Sequence, residues 1–212
     1  MIKSKKRIEK FGEVFTSERE VNAMLDLVAD ETNRIDSRFL EPACGSGNFL
    51  IEVVKRKMLT VEARYAKHQP DFEQYAFLAL SSVYGIDLLE DNVIECRDRL
   101  LNHSLSIYDK KFASSQCEKF KSALKFVLGK NILIGDALTL RLPHSDQPIV
   151  FSEWNLVSGN KVRRIDYTLT NLIAYQPFEG DSLFSDLGDL AFIPAPLKSF
   201  PTTHYKELQN AG

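Results

Sequence analysis

The sequence predicts an α/β fold: a mostly parallel sheet with helices on both faces. Two observations carry that expectation. Short apolar runs ending at Leu40, Ile86 and Ile134 alternate with longer stretches of helical periodicity, the pattern of strands joined by crossover helices. Each run also passes directly into a polar or glycine-bearing turn: residues 41–49, then Asp87, then Gly135-Asp136-Ala137. Turns at the carboxyl ends of parallel strands are where such sheets bind ligands.

The elements follow in order. Ser17-Glu18-Arg19-Glu20 has the form of a capping box, and Val21, Met24, Leu25 and Val28 then share a helix face, so a first helix is expected over residues 17–29. Arg38-Phe39-Leu40 ends a buried strand. Phe49, Leu50, Val53, Val54 and Met58 recur at helical spacing and predict a helix over 48–64. A short helix is expected after Pro70, a strand over 83–86, a helix over 91–101, another over 112–128, and a strand over 131–134. Pro148 to Phe151 reads as a fourth strand. Past about Leu172, Pro177, Pro194, Pro196 and Pro201 break the periodicity. Residues 1–172 are therefore expected to form one domain, and 173–212 an irregular carboxyl-terminal segment.

Composition narrows the class. At 44% hydrophobic and 26% charged residues, the 212-residue chain reads as a soluble globular protein. It has no apolar stretch of the ~18 residues a bilayer demands, and its charged first seven residues lack the apolar segment of a secretory signal. Cys44, Cys96 and Cys117 lack metal-ligand spacing, so reduced thiols in a cytoplasm, and no metal, are expected. With 27 basic and 29 acidic residues the net charge is −2, not the basic surplus of a self-sufficient duplex binder. Lys3, Lys5, Lys6, Arg7 and Lys10 form one basic cluster, and Lys161, Arg163 and Arg164 another; each reads either as a phosphate contact or as a solvated tail or turn.

The turn Glu41-Pro-Ala-Cys-Gly-Ser-Gly-Asn-Phe49 is the most informative string. Glycines between a strand and a helix let a ligand approach the backbone near the helix's positive end. The acid before them would repel a pyrophosphate and suits a ligand carrying both a cation and a carboxylate. This string resembles the first cofactor motif of S-adenosylmethionine-dependent DNA methyltransferases, in particular the adenine-N6 group of restriction-modification systems. The resemblance spans residues 12–137 and implies a Rossmann-like class I methyltransferase fold. It also implies S-adenosyl-L-methionine as cofactor and DNA as a partner. On its terms Phe15 and Thr16 approach the methionine part, and Glu41, Ala43, Cys44, Gly45, Gly47 and Phe49 form the glycine turn. Asp87 holds the ribose with Leu88 against the adenine; Asp136 contacts the adenine amino group and Ala137 offers a backbone N–H. Asp87 also reads as a helix cap, and Asp136 as a turn former.

One motif of that family is missing. Amino methylation there uses Asn/Asp/Ser-Pro-Pro-Tyr/Phe after the fourth strand to hold a base flipped from the duplex. Here Ser152-Glu153-Trp154-Asn155 stands in its place. Ser152 and Trp154 are the catalytic candidates, although an indole this close to a strand end is more often a core anchor. A base-reading module is not evident either, so either a specificity or nuclease subunit reads the DNA as partner, or the chain is a fragment or compact relative that does not methylate on its own. The competing readings are a catalytically inactive cofactor-binding or interaction module, and methyl transfer to RNA, protein or a small molecule.

Overall fold

The computed structural model describes residues 16–158, 160–173 and 194–210. Phe15 and the amino-terminal basic cluster fall outside this range, as does Pro177. Helix α1, Glu18–Asp26, starts as its sequence dictates: Ser17 Oγ accepts from Glu20 N at 3.3 Å, and Ser17 N donates to the Glu20 carboxylate at 3.0 Å. It stops three residues short of expectation. Val28 leaves helical geometry (φ −124°, ψ 38°) before the one-turn helix α2, Ala29–Asn33.

Strand β1, Phe39–Glu41, leads through the glycine turn into α3, Asn48–Tyr65. Helix α4, Gln69–Ser81, places Pro70 in its first turn, where no N–H is missed. After β2, Val83–Asp87, helix α5 runs from Glu90 to Lys111, ten residues beyond the expected end. Its buried stripe continues past Cys96 and Leu100 through Ser104 to Tyr108, at spacing of one helical neighbour. Helix α6, Glu118–Asn131, precedes β3, Ile132–Ile134. The three strands are parallel in the order β1-β2-β3.

Alternation along β2 divides the core. Val83 belongs to the large cluster built with α1 and α3–α6, and Gly85 lies against Leu50 of α3; Tyr84 and Ile86 project to the opposite face. That second face is met by Ile149, Phe151 and Leu169, not by a long helix. Helices on both faces were expected; among the described residues the long helices pack on one.

The fourth strand is the second correction. Strand β4, Val150–Leu156, pairs antiparallel with β5, Lys161–Thr168, in a separate sheet. The connection of residues 157–160, with Asn160 at φ 61°, is short enough to join only antiparallel neighbours. Chain beyond the prolines returns to this sheet as β6, Lys198–Ser199, and β7, Thr203–His204, both on β5. A 3₁₀ turn, Tyr205–Asn210, then buries Tyr205 and Leu208 in the main cluster. Irregular in pattern, this stretch nonetheless contributes Tyr205 and Leu208 to the core. The basic cluster on β5 is likewise no solvated turn: Lys161 and Arg163 are exposed, but Arg164 is buried.

One cation anchors the start of the sheet. Lys57 of α3 is fully buried, its Nζ donating to Ile35 O at 3.1 Å, Ser82 Oγ at 2.5 Å and Ser37 O. These contacts fix the segments leading into β1 and β2 onto α3. Burial pushes the Lys57 ammonium down to about 7.

Candidate functional site

Strand register brings the three turns to one edge. Glu41 lies opposite Gly85 and Asp87 opposite Ile134, so the turns after β1, β2 and β3 leave the same end of the sheet. The first is fastened to β2: Cys44 N donates to Ile86 O at 2.8 Å and Gly45 N to Asp87 Oδ2 at 2.9 Å. Gly47 N closes the turn on Cys44 O at 2.8 Å, and Ile51 N begins α3 on Gly47 O at 2.9 Å. Gly45 and Gly47 have φ of 52° and 86°, backbone that side chains resist. Gly47 has a second reason to be glycine, since a Cβ there would lie 2.6 Å from Cys96 Sγ on α5.

The other residues of the turn divide by exposure. Ala43 is exposed, and Glu41 is half-buried with Oε1 accepting from Ala43 N at 3.2 Å. Phe49 packs against the main cluster. Cys44 is buried, and contact with Cys96 together with burial pushes its thiol up. Thr16, thirty-two residues before Asn48, is brought to the turn: Asn48 Nδ2 donates to Thr16 O at 3.4 Å. Sequence reasoning missed Arg99. From α5 its Nη1 donates to Ser46 O at 2.6 Å and Asn48 Oδ1 at 2.8 Å, clamping the turn from outside. No local pattern marks this residue, because both partners lie some fifty positions away.

Asp87 joins two loops. Besides Gly45 N, its carboxylate accepts from Leu89 N at 2.9 Å and Asn92 Nδ2 at 3.1 Å, both through Oδ1. The N-cap of α5 is Leu89, so Asp87 shapes the approach to the helix without being its cap. A carboxylate has about four lone-pair positions; three are filled among the described residues. Leu88 is 49% exposed beside it. Asp87 O also accepts from Gly135 N at 2.9 Å, tying the ends of β2 and β3.

Asp136 forms the turn that its sequence allowed. Oδ1 accepts from Leu138 N at 2.9 Å and Thr139 N at 3.4 Å. The Leu138 N–H, and after it the Thr139 N–H and hydroxyl, hold the carboxyl below the usual carboxylate range. Ala137 packs against the smaller apolar cluster. At Asp136 opens a cleft of about 770 Å³ whose lining includes Leu88, Leu89, Thr139 and residues 141–146.

Ser152 and Trp154 lie in the second sheet, and interior partners account for both. Ser152 Oγ donates to Asp166 Oδ1 at 2.7 Å, and Asp166 takes a bidentate contact from Arg164, at 2.8 Å to each oxygen. Trp154 Nε1 donates to Asn131 Oδ1 at 3.0 Å, and its ring meets Phe77 edge-on at 6.3 Å. Both are nearly fully buried. Among the described residues, no group of three or more His, Cys, Asp or Glu side chains is placed to hold a metal ion. Among the described residues, no helix is long and apolar enough to cross a membrane.

A glycine turn and two strand-end acids along one edge of a parallel sheet are compatible with a methyltransferase domain. The comparison with known families makes the class definite. The family described as MmeI, DNA-methyltransferase domain, matches residues 15–148, more than half of the chain, and this chain belongs to it. Membership makes it a DNA methyltransferase domain of the restriction-modification kind. The match contains all three turns and ends at Pro148, before β4. No curated protein and no solved structure matches the chain.

Proposed function

We propose that this domain binds S-adenosyl-L-methionine along the edge formed by residues 41–49, Asp87 and Asp136, and methylates DNA at adenine N6 in a restriction-modification or phage-defence setting. The observation that carries this reading is Asp87, whose carboxylate clasps the glycine turn and in this reading accepts a ribose hydroxyl as well. The donor set suits the cofactor. Glu41 complements a cationic ligand, the turn leaves no room for a Cβ at Gly47, and half-exposed Leu88 offers an apolar surface to adenine. In this reading Phe15 and Thr16 border the methionine part, Ala43, Cys44, Gly45 and Gly47 present backbone to the ligand, and Phe49 backs the turn. Asp136 meets the adenine amino group and Ala137 N–H a ring nitrogen. When bound, the cofactor supplies an electrophilic methyl group on a sulfonium.

No side chain here is assigned to holding the target base, since Ser152 and Trp154 are engaged in the core. A specificity or nuclease subunit acting in the same cytoplasm is therefore part of the proposal. The same observation favours a second reading, a cofactor-binding or interaction module that transfers nothing. Two measurements decide. Calorimetry with S-adenosyl-L-methionine should give heat with the wild type and none with Asp87→Ala; absence of heat with the wild type removes the proposal. Labelled methyl transfer to mixed-sequence DNA, with and without candidate partners, separates the readings: N6-methyladenine under any condition removes the inactive module, and uptake at another base removes the adenine-N6 assignment.

A further inference from the structure

The basic cluster on β5 has no part in the cofactor edge, and the second sheet builds something else around it. Arg164 lies among aromatic rings: its guanidinium carbon is 4.1 Å from the Phe200 centroid, 5.7 Å from Trp154 and 5.8 Å from Phe126. From two of those rings the contacts run on to lysines. Lys198 Nζ is 4.4 Å from the Phe200 centroid, and Lys130 Nζ is 5.7 Å from Phe126. Cations and rings thus alternate from α6 across β5 to β6, each cation held by an electron-rich ring face. Asp166 neutralises Arg164 through two contacts at 2.8 Å, so the middle of the chain is a strut without free charge. Its ends are different. Lys198 is exposed, Lys130 is half-buried, and neither forms an ion pair among the described residues.

We infer that this surface grips the phosphate backbone of DNA, with Lys198 and Lys130 as the contacts and Phe200, Phe126 and Arg164 positioning them. The inference rests on membership of a DNA-methyltransferase family and not on the cofactor reading. A chain of net charge −2 has no diffuse surplus to hold a polyanion, so attraction must come from local cations that no carboxylate has claimed. Lysine suits the task as a point charge for phosphate. The rings are engaged by the cations, so the surface offers charge to a backbone and not a stacking platform to a base. Lys130 precedes β3, at the opposite end of the parallel strands from the three turns. The phosphates it meets therefore lie away from the base being modified, and the hold is independent of sequence. Strands β5 and β6, which carry Arg164, Lys198 and Phe200, lie outside the family-matched residues 15–148. Lys161 and Arg163, on the other face of β5, have the same charge without the ring backing.

The test follows a short labelled duplex of mixed sequence by anisotropy, on the full chain without cofactor, between about 50 and 200 mM salt. Lys198→Gln and Lys130→Gln should each flatten the slope of log affinity against log salt by about 0.9, and the double variant by about twice that. Phe200→Leu keeps both lysines and should still weaken binding several-fold, with recovery in Phe200→Tyr. Arg163→Gln, on the other face, should leave the slope unchanged. Wild type that fails to bind the duplex at the lowest salt overturns the inference. So does an unchanged slope in both lysine variants, or an equal loss in Arg163→Gln. Polyglutamate that displaces the duplex at equal charge concentration assigns the surface to an acidic protein and overturns it as well. Calorimetry with S-adenosyl-L-methionine on the same variants reads the cofactor site separately, so either proposal can fail without the other.

Discussion

Gly47→Ala tests the glycine turn quantitatively, because two separable costs meet at that position. The new Cβ would lie 2.6 Å from Cys96 Sγ and 3.3 Å from Cys96 Cβ, and the backbone stays at φ 86°. Left-handed backbone costs a non-glycine residue about 1–2 kcal/mol, and overpacking a tight interior about 1–3 kcal/mol. The single variant should therefore lose about 2–5 kcal/mol. In a Cys96→Ala background the Sγ contact is gone and the backbone cost remains, so the same substitution should cost only about 1–2 kcal/mol. Urea unfolding of the four proteins, followed through the fluorescence of Trp154, gives the double-mutant cycle directly. Equal costs in both backgrounds, within about 0.5 kcal/mol, would refute the claim that α5 lies against the turn at Gly47.

Arg99→Ala removes the clamp on Ser46 O and Asn48 Oδ1; cofactor affinity should drop several-fold with only a small change in melting temperature, and a fall in stability without loss of affinity would contradict it. Trp154→Phe leaves Asn131 Oδ1 without its donor and should cost about 1–3 kcal/mol in urea while cofactor affinity holds. Lys57 releases its proton near pH 7 in the folded protein and near its ordinary 10.5 when unfolded. The unfolded chain thus binds more protons between those values, and stability should rise with pH across them, by at most about 4–5 kcal/mol. Unfolding midpoints measured from pH 6 to 10 check the slope, which Lys57→Met should abolish.

The features legible in sequence are those fixed by near neighbours. The capping box at Ser17 and Glu20, the left-handed turn at Gly45 and Gly47, and the strand-end position of Asp87 depend on residues a few positions apart, and each stands where expected. What escaped depends on distant pairing. Val150-Phe151 reads as a buried strand whatever its neighbour is; nothing within it says that β5, not the parallel sheet, will be that neighbour. Arg164 looked like surface charge beside Lys161 and Arg163. Strand alternation instead puts it on the inner face with Asp166, two positions on, where the pair neutralise each other. Arg99 is invisible locally for the same reason. The helix expected over 112–128 starts at Glu118, where Tyr108 Oη accepts from Cys117 N, the N-cap, at 2.9 Å, a partner nine positions away that no local pattern marks.

Asn131 sits where the family-matched portion meets the remainder: its Nδ2 donates to Ser81 O and Val83 O at 3.0 and 3.3 Å, while its Oδ1 receives Trp154. Cutting the polypeptide after Pro148 would strip that indole from the underside of Phe77 and Phe126 and take Tyr205 with it. The family-matched stretch is thus smaller than the packed core it shares. Anyone trimming this domain for crystals should expect a sticky, aggregating stump unless the later hairpin travels along.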